Sequence, residues 1–319
     1  MVRMIVTLTA NPSLDRSVTL DAPLLAGEVQ SALGAREDAG GKGINVARVI
    51  AAAGVPALAV LPLADDDPFG VALHAAGVAT RPVPIHGHAR ANLTITDPAG
   101  VTTKLNLPGT VLEPAESAAL VAAVVDACEG AEWLVLAGSL PPGAADDLYV
   151  TVIRAVRDRW LGDAPKIAVD TSGDALRAAV FDGHPDLIKP NELELAELTG
   201  TEQPDADDLI DAVLAVARPL VPDTVGAALI TLGAHGSVLV TADGAFVAEA
   251  PRITVRSTVG AGDSALAGYL LADRAGADPA DRLVDAVRYG SAAASLPGTQ
   301  APRPLDLPPG DIRVAALHP

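Results

Sequence analysis

The sequence predicts an α/β protein with a largely parallel central sheet, helices on both faces and a small β-sheet lid. Short runs rich in Val, Ile and Leu alternate with longer helical patterns, as they do in parallel βα units. Short strand patterns within residues 16–36 and 89–108 interrupt this alternation. Half of the residues are apolar but only 3% are aromatic, so we expect a core of Ala, Val, Leu and Ile.

The N-terminal third contains the first βα units and the two interrupting segments. Residues 4–9 form a β-branched apolar run that predicts a buried strand, which the turn signal Asn-Pro-Ser at 11–13 ends. Further along, we expect strands at 17–20, 29–35 and 57–63, helices from the glycine-rich turn to residue 53 and at 70–76, and a hairpin with arms at 92–96 and 102–107. The interrupting strands could pair into a small sheet that covers a cleft.

From residue 114 onward the alternation is regular. Strands are expected at 133–137, 166–170, 187–188 and 227–232, with a hairpin at 237–241 and 244–248. Helices are expected at 115–128, 146–160, 175–181, 192–198, 264–275 and 279–295. Parallel strands end at one edge of their sheet, so the loops that follow them should meet there. No linker or repeat divides the sequence, which predicts one domain over residues 1–319.

Charge and composition exclude several classes of partner. The formal net charge of −18 argues against nucleic acid and anionic membranes, and an anionic substrate would need a local cluster of cations. No apolar run reaches the roughly 18 residues of a membrane span. Cys128 is the only cysteine, so no internal disulfide is possible and a reducing compartment is expected. With no signal-peptide pattern at the N-terminus, we expect a cytoplasmic protein.

The segment Val-Gly-Ala-Gly-Asp-Ser at 259–264 opens a helical pattern. Small residues at a helix start leave backbone N–H groups open to an anion, and the helix dipole adds to the attraction. Asp263 in this setting is explained equally well as a catalytic base beside a phosphate or as an ordinary N-cap. The segment also fits the dinucleotide fingerprint Gly-x-Gly-x-x-Ala, but that fingerprint should follow a buried strand, and Arg-Ser-Thr precedes it here.

Two further segments predict ligand contacts. Gly-Gly-Lys-Gly at 40–43 opens a helix, which favours a close backbone approach to a ligand over a merely flexible turn. Asn191 and Glu194 lie three residues apart at a helix start. That spacing suits a hard cation with waters, and it equally suits a capping box, so both interpretations stay open.

Several motifs follow one another in a characteristic order. They are Thr-Leu-Thr-Ala-Asn-Pro-Ser-Leu-Asp at 7–15, Gly-Gly-Lys-Gly-Ile-Asn-Val-Ala at 40–47, Gly-Ser-Leu-Pro at 138–141, Lys-Pro-Asn-Glu-Leu-Glu at 189–194, Thr-Leu-Gly at 231–233 and Ser-Thr-Val-Gly-Ala-Gly-Asp-Ser at 257–264. Each alone is weakly specific. Together they cover nearly the whole chain and resemble the ribokinase-like (PfkB) carbohydrate kinases, which implies the ribokinase-like fold with its β lid.

The resemblance implies ATP-dependent phosphorylation of a phosphorylated ketohexose, with fructose 1-phosphate converted to fructose 1,6-bisphosphate as the first expectation. Asp263 would be the general base, and the backbone of Gly260, Ala261 and Gly262 would form the anion hole for the γ-phosphate. Mg²⁺ would be placed by Asn191 and Glu194. The β lid would also form the contact of a homodimer.

The resemblance also implies residues for each substrate. Those for the sugar hydroxyls are Asp15, Gly40, Gly41 and Asn45. Those for the phosphate already on the sugar are Lys42, Arg90 and Ser139, with Lys104 a weaker candidate. Those for the nucleotide are Lys189, Thr231, Gly233, Ala234, Gly236 and Gly262.

Alternatives remain within and outside this activity. Tagatose-6-phosphate kinase, 6-phosphofructokinase and a kinase for an unphosphorylated sugar share the same motifs, although Arg90 and the Ile-Asn-Val-Ala sequence at 44–47 favour a phosphosugar. A non-catalytic sugar-phosphate-binding regulator is the alternative from another class. The chain departs from the family pattern at residues 64–68 and at Leu107, and both departures bear on the lid and on sugar selectivity.

Overall fold

Most strands of the chain belong to one ten-stranded sheet in the computed structural model, which describes residues 4–202 and 208–317. The strands of the described residues are, in chain order, β1 (Ile5–Leu8), β2 (Ser13–Leu20), β3 (Ala32–Gly40), β4 (Ala57–Pro62), β5 (Ala79–Val83), β6 (Arg90–Thr96), β7 (Thr102–Asn106), β8 (Trp133–Ala137), β9 (Lys166–Asp170), β10 (Leu187–Ile188), β11 (Ala227–Thr231), β12 (Ser237–Thr241), β13 (Gly244–Ala248) and β14 (Val314–Leu317).

The large sheet has the order β14-β13-β12-β11-β10-β9-β8-β1-β4-β5. Strands β11 to β5 in this order pair in parallel, whereas β12, β13 and β14 add an antiparallel edge. The predicted, largely parallel central sheet is therefore observed, and the carboxyl ends of seven neighbouring strands lie along one edge.

Helices cover both faces of this sheet. The α-helices of the described residues are α1 (Lys42–Ala52), α2 (Phe69–Ala75), α3 (Pro114–Ala127), α4 (Leu148–Trp160), α5 (Gly173–Ala178), α6 (Glu192–Thr199), α7 (Leu209–Ala217), α8 (Ala261–Arg274) and α9 (Pro279–Ser295). Side chains of α3 to α7 share one buried core, and those of α1, α2, α8 and α9 share the other. Alternate residues of a strand serve the two cores, since Val6 packs in the first and Ile5 in the second.

The four remaining strands form a separate sheet in the order β3-β2-β6-β7. Strand β2 is central, antiparallel to β3 and parallel to β6, and β7 pairs antiparallel with β6. Burial differs sharply from that of the large sheet: most of β3 and β7 is exposed, whereas β1 and β8 are buried throughout. These strands correspond to the segments expected to form the lid, with somewhat different bounds.

Several expected boundaries are wrong. Strand β2 begins at Ser13 rather than at residue 17, because pairing with both β3 and β6 extends it, and it therefore contains Asp15. Strand β3 runs to Gly40 instead of ending at 35. Helix α8 begins at Ala261, three residues earlier than expected, because its packing against α1 and α9 offsets the low helix propensity of Gly262. Helix α7 and strands β5 and β14 were not predicted.

The helices of residues 4–202 and 208–317 include none with the length and apolar character needed to cross a membrane.

Candidate active site

The loops expected to meet at one sheet edge are linked to one another by backbone hydrogen bonds. The N–H of Gly138, after β8, donates to the carbonyl of Asp170 at 2.9 Å. The N–H of Thr231 donates to the carbonyl of Pro190 at 3.1 Å, and Asn191 forms a parallel bridge with Thr231. Neighbouring parallel strands therefore bring the motif loops together as the sequence predicted.

Asp263 lies in the first turn of α8, not at its N-cap. The N-cap is Gly260, whose φ of 78° is a left-handed conformation that favours glycine, and no side chain caps this helix. The Oδ2 atom of Asp263 accepts a hydrogen bond of 2.8 Å from Nδ2 of Asn45, on α1. The N-cap interpretation is therefore wrong, and the carboxylate instead joins the starts of two helices.

The environment of Asp263 raises the pKa of its carboxyl group towards neutral pH. Burial is the main cause that raises its pKa to about 6, and the negative charge of Asp170 raises it further. Lys42, the hydrogen bond from Asn45, and Lys189 act in the opposite direction. A carboxylate tuned in this way is well suited to accept a proton near neutral pH.

The helix start also offers backbone donors. The first N–H groups of a helix have no intrahelical carbonyl to bind, and Gly262 is at the second helical position. The N–H of Ala261 makes a long contact of 3.3 Å with the carbonyl of Thr258. The segment before α8 is not a buried strand, which removes the structural context that a dinucleotide fingerprint requires.

Two lysines meet a buried carboxylate beside this helix start. The Nζ atom of Lys42 lies 2.8 Å from Oδ1 of Asp170, and Nζ of Lys189 lies 3.2 Å from its Oδ2. Burial raises the pKa of Asp170, but the two ammonium groups outweigh burial and hold it below its ordinary value. Burial lowers the pKa of Lys42, but Asp170 and Glu194 outweigh burial and raise it. Both lysines are thus paired with Asp170 at the edge where the motifs meet.

Asn191 and Glu194 form a capping box at the start of α6. Glu194 donates its N–H to Oδ1 of Asn191 at 2.7 Å, and Oε2 of Glu194 accepts from the N–H of Asn191 at 2.9 Å. The remaining carboxylate oxygen, Oε1, lies 3.8 Å from Nζ of Lys42. No group of three or more His, Cys, Asp or Glu side chains within residues 4–202 and 208–317 is arranged to hold a metal. The Oε1 atom of Glu194, which the capping box does not use, nevertheless suits Mg²⁺, which is commonly held by one or two carboxylates, waters and substrate phosphates.

A second polar cluster surrounds Asp15 on β2. Its Oδ1 accepts from Oγ of Ser13 at 2.7 Å and from Nδ2 of Asn92 at 2.9 Å. A Cβ atom on Gly40 would overlap the carboxylate, so glycine is required for this close approach. Burial raises the pKa of Asp15, whereas the two hydrogen bonds that its carboxylate accepts and the positive charge of Arg90 lower it. Burial is also the main cause that lowers the pKa of Arg90, whose buried Nε has no hydrogen-bond partner.

The residues predicted for the sugar's own phosphate face different partners. Arg90 faces Asp15, whereas the ammonium group of Lys42 faces Asp170 and Glu194. Ser139 accepts a long hydrogen bond of 3.4 Å from Nδ2 of Asn11. Lys104 is exposed on β7, at an edge of the four-stranded sheet.

The residues predicted for the nucleotide follow β11 along the same edge. Thr231 ends this strand, and Gly233 and Ala234 are exposed in a short 3-10 turn. A Cβ on Gly236 would overlap the carbonyl oxygen of Ala248, which explains a glycine there structurally. A Cβ on Gly262 would lie 3.1 Å from Nζ of Lys189, so Gly262 leaves room for that ammonium group.

Sequence reasoning missed four polar residues at these clusters. Asp170 and Asn92 complete the two charge clusters described above, and Asn11 also donates to the carbonyls of Pro108 and Leu140. Asp67, in a segment that departs from the family pattern, accepts from the N–H of Ala89 beside Arg90 at 2.6 Å. The position of Asp170 at the end of a central strand was the available signal, whereas Asn92 faces Asp15 only through the pairing of β2 with β6.

Comparison with known proteins places the chain in a known family. The chain matches the profile of the pfkB family carbohydrate kinases over residues 10–305. It is 33% identical over 325 residues to a 1-phosphofructokinase of Rhodobacter capsulatus, which covers 100% of each chain. It is 36% identical over 305 residues to a 1-phosphofructokinase of Haloferax volcanii, and this alignment covers 94% of this chain and 93% of the relative.

Solved structures show the same fold. Phosphofructokinase-2 from Escherichia coli, in complex with substrates and products, superposes with a TM-score of 0.85 at 30% identity, over 95% of this chain and 96% of that chain. The same enzyme in complex with fructose-6-phosphate gives a TM-score of 0.79 at 30% identity, over 92% and 93% of the two chains.

Fold and similarity together define a carbohydrate kinase, a phosphotransferase that acts on an alcohol group. The chain belongs to the pfkB family, whose members use ATP as the phosphate donor. The predicted ribokinase-like α/β fold, family and enzyme class are confirmed. The relatives also support an activity on a sugar phosphate.

Proposed function

We propose that this enzyme transfers the γ-phosphoryl group of ATP to fructose 1-phosphate and forms fructose 1,6-bisphosphate. One observation carries the mechanism: the buried Asp263 carboxylate lies in the first turn of α8, hydrogen-bonded to Asn45 of the glycine-rich loop helix. A base, backbone donors and cations at one helix start are the parts that phosphoryl transfer requires. The similarity to two 1-phosphofructokinases supports the choice of sugar.

In this mechanism Asp263 accepts the proton of the attacking C6 hydroxyl. The hydroxyl oxygen forms a bond to the γ-phosphorus as the bond to the β–γ bridging oxygen breaks, and ADP leaves. The N–H groups of Gly260, Ala261 and Gly262 stabilise the charge on the transferred group. A pKa of about 6 leaves Asp263 mostly ionised at pH 7, yet basic enough to receive a proton.

The sugar binds, in this proposal, at the cluster around Asp15. The carboxylate of Asp15 and the Oδ1 atom of Asn45 accept hydrogen bonds from the sugar hydroxyls. Gly40 and Gly41 let the sugar ring approach the backbone. Arg90 and Ser139 bind the existing phosphate, with Lys104 and Lys42 as additional cations. The unpartnered Nε of Arg90 supports this role, because a buried donor without a partner suits an anionic ligand.

ATP binds along the edge that follows β10 and β11, with Lys189, Thr231, Gly233, Ala234, Gly236 and Gly262 as its contacts. Glu194 Oε1 is the oxygen we propose for Mg²⁺, through water, while Asn191 acts by holding Glu194 in the capping box. Mg²⁺ at this position would supply neutralisation of the phosphate charge. We expect the enzyme to work in the cytoplasm.

The four-stranded sheet is proposed as a lid over the sugar and as the contact of a homodimer. Exposed apolar side chains on its strands and loops support this role. They are Leu24, Leu25, Val29, Leu33, Val101, Leu105 and Leu107. Light scattering of the purified protein would test it, since a monomeric mass at micromolar concentration contradicts a lid-mediated dimer.

The substrate is tested by kcat/KM for fructose 1-phosphate, fructose 6-phosphate, tagatose 6-phosphate and fructose, with ATP, Mg²⁺ and ADP detection. We expect fructose 1-phosphate to be used best. A preference for fructose 6-phosphate would instead favour the second candidate, 6-phosphofructokinase, which the similarity to phosphofructokinase-2 supports. Absence of ADP formation with every sugar would favour a non-catalytic regulator.

Arg90→Ala is expected to raise the KM for the sugar phosphate about 10-fold to 100-fold, because a charged hydrogen bond contributes about 1.5–3 kcal/mol. The KM for ATP should change little. Initial rates with each substrate varied in turn measure both values. An equal rise of the two KM values would remove Arg90 from the sugar-phosphate site.

A further inference from the structure

Asp170 lies at the carboxyl end of β9, in the middle of the large sheet, with a fully buried side chain. Its two carboxylate oxygens contact different ammonium groups, which come from different parts of the chain. Lys42, the first residue of α1, reaches Oδ1 at 2.8 Å, and Lys189, after β10, reaches Oδ2 at 3.2 Å. One carboxylate thus joins two cations that would otherwise repel each other.

Within the part of the chain that the structure describes, the Asp170 carboxylate makes no polar contact other than those with the two lysines. Its oxygens accept no backbone N–H and cap no helix, and Oδ2 makes no regular hydrogen bond apart from its ion pair. A buried carboxylate without such bonds is costly unless its charge partners compensate. The two lysines are therefore the reason why Asp170 is tolerated at this position.

The lysines occupy an unfavourable place without that carboxylate. Nζ of Lys189 would lie 3.1 Å from a Cβ on Gly262, at the N-terminal end of α8, where the helix dipole is positive. The side chain of Lys189 is only 5% exposed, so its charge cannot be solvated in place. Without Asp170, both ammonium groups would be repelled from the start of α8.

We propose that Asp170 is a positioning residue that holds the ammonium groups of Lys42 and Lys189 beside the start of α8 as a pair of ligands for the phosphates of ATP. Asp170 itself touches neither substrate. The role rests on the proposed use of ATP at this site, and it assigns Lys42 to the phosphates of the nucleotide as well as, or in place of, that of the sugar.

The direction in which Asp170→Asn changes the affinity for ATP distinguishes a positioning role of Asp170 from an effect of its negative charge alone. If Asp170 acted only through its negative charge, Asp170→Asn would tighten the binding of anionic ATP. If Asp170 holds the lysines, the same substitution releases them and weakens binding. We expect the dissociation constant of ATP, measured by calorimetry with EDTA and without sugar, to rise at least about 10-fold, since the loss of a single charged hydrogen bond to a phosphate weakens binding by about that factor.

Asp273→Asn is the matched control, because Asp273 is also a buried carboxylate between two cations, Lys166 and Arg282, but lies at the other end of α8. We expect the control to bind ATP like the unsubstituted protein, and Asp170→Glu to recover part of the lost affinity. If Asp170→Asn does not fold, the double variant Asp170→Asn/Lys189→Met can be used, because it removes both partners of the buried ion pair. The comparison is then with Lys189→Met, and we expect the double variant to bind ATP still more weakly because it also releases Lys42.

Unchanged or tighter ATP binding in the Asp170 variants would overturn the positioning role. A defect that occurs only when Mg²⁺ is present would overturn it as well, since it would assign Asp170 to the metal. The test involves no turnover, so it is independent of which sugar is the substrate. If the unsubstituted protein did not bind ATP, the proposed function itself would fail.

Discussion

The two ends of helix α8 carry similar groups in opposite settings. At the C-terminal end, the buried Asp273 accepts from Nε1 of Trp133 at 2.9 Å and pairs with Lys166 and Arg282, each at 3.0 Å. At the N-terminal end, Asp263 lies near Lys42 and Lys189. Ten residues of helix separate the two carboxylates by about 15 Å. One helix therefore presents a buried acid with nearby cations at both ends.

The difference between the ends lies in how well each group is satisfied. Cations near a helix C-terminus are favourable, and Asp273 has a partner on both oxygens, so this end contributes to stability. At the other end the cations oppose the dipole, Asn45 Oδ1 is buried without a partner, and the pKa of Asp263 is raised. Unsatisfied groups of this kind are typical of a site that awaits a ligand.

The largest expected effect is on catalysis. Asp263→Asn should lower kcat about 10²–10⁴-fold, because a positioned general base contributes about that much. Binding of ATP should survive, and Asp273→Asn should leave kcat nearly unchanged. Initial rates at saturating substrates, with calorimetric ATP binding on the same samples, measure this. A normal kcat for Asp263→Asn would show that another group removes the proton.

The same substitution should stabilise the protein. A folded-state pKa of about 6 against an ordinary 3.8 means that ionised Asp263 costs about 3 kcal/mol at pH 7 as an upper bound. A raised pKa favours the folded state below the unfolded pKa and loses that contribution as the pH rises through 6. Asp263→Asn should therefore be more stable by about 1–3 kcal/mol at pH 7–8, and the gain should vanish below about pH 4.

Urea unfolding at pH 4, 6 and 8 measures this gain. The matched change at the other end, Asp273→Asn, should lower stability by about 1–3 kcal/mol, because it leaves buried donors without an acceptor. Loss of stability in both variants at pH 8 would contradict the contrast between the two ends.

Two glycines of α8 extend the comparison. A Cβ on Gly268 would overlap the backbone carbonyl of Asp285 and lie 2.9 Å from the ring of Tyr289, in the contact with α9. Gly268→Ala should therefore cost about 1–3 kcal/mol of stability and leave kcat unchanged. A Cβ on Gly262 meets only the flexible end of Lys189, so Gly262→Ala should fold normally but weaken ATP binding several-fold. Thermal unfolding and calorimetry separate the two, and the reverse pattern would mean that Gly262 is structural.

The role of the N-terminal end of α8 could be predicted from sequence, but not its electrostatics. The motif around Asp263 and the alternation of parallel βα units indicated that the loops meet at one edge of the sheet. The partner of Asp263, Asn45, is 218 residues away along the chain. Its contact depends on the packing of α1 against α8, which no local pattern encodes.

Local sequence signals were also insufficient where contacts between distant segments determine the structure. The turn residues before Asp15 predicted a loop, yet strands on both sides extend β2 through it. Asn191 and Glu194 had the spacing of a capping box and of a cation site, and only coordinates distinguish which oxygens are used. Asp170 could be predicted only as the last residue of a strand whose loop meets the others at the sheet edge, because the two lysines that pair with it come from other elements of the fold.

The smallest expected effect is a shift in pH dependence. The acid limb of kcat/KM should fall near pH 6, where Asp263 becomes protonated and cannot act as a base. Lys42 lowers the pKa of Asp263, so Lys42→Met should move the limb to higher pH. Sugar phosphates also titrate near about pH 6, but that contribution is identical for every variant. The shift between variants therefore isolates the enzyme's carboxyl group, and Asp273→Asn should show none. A limb that stays in place or moves to lower pH in Lys42→Met would mean that it reports a group other than Asp263.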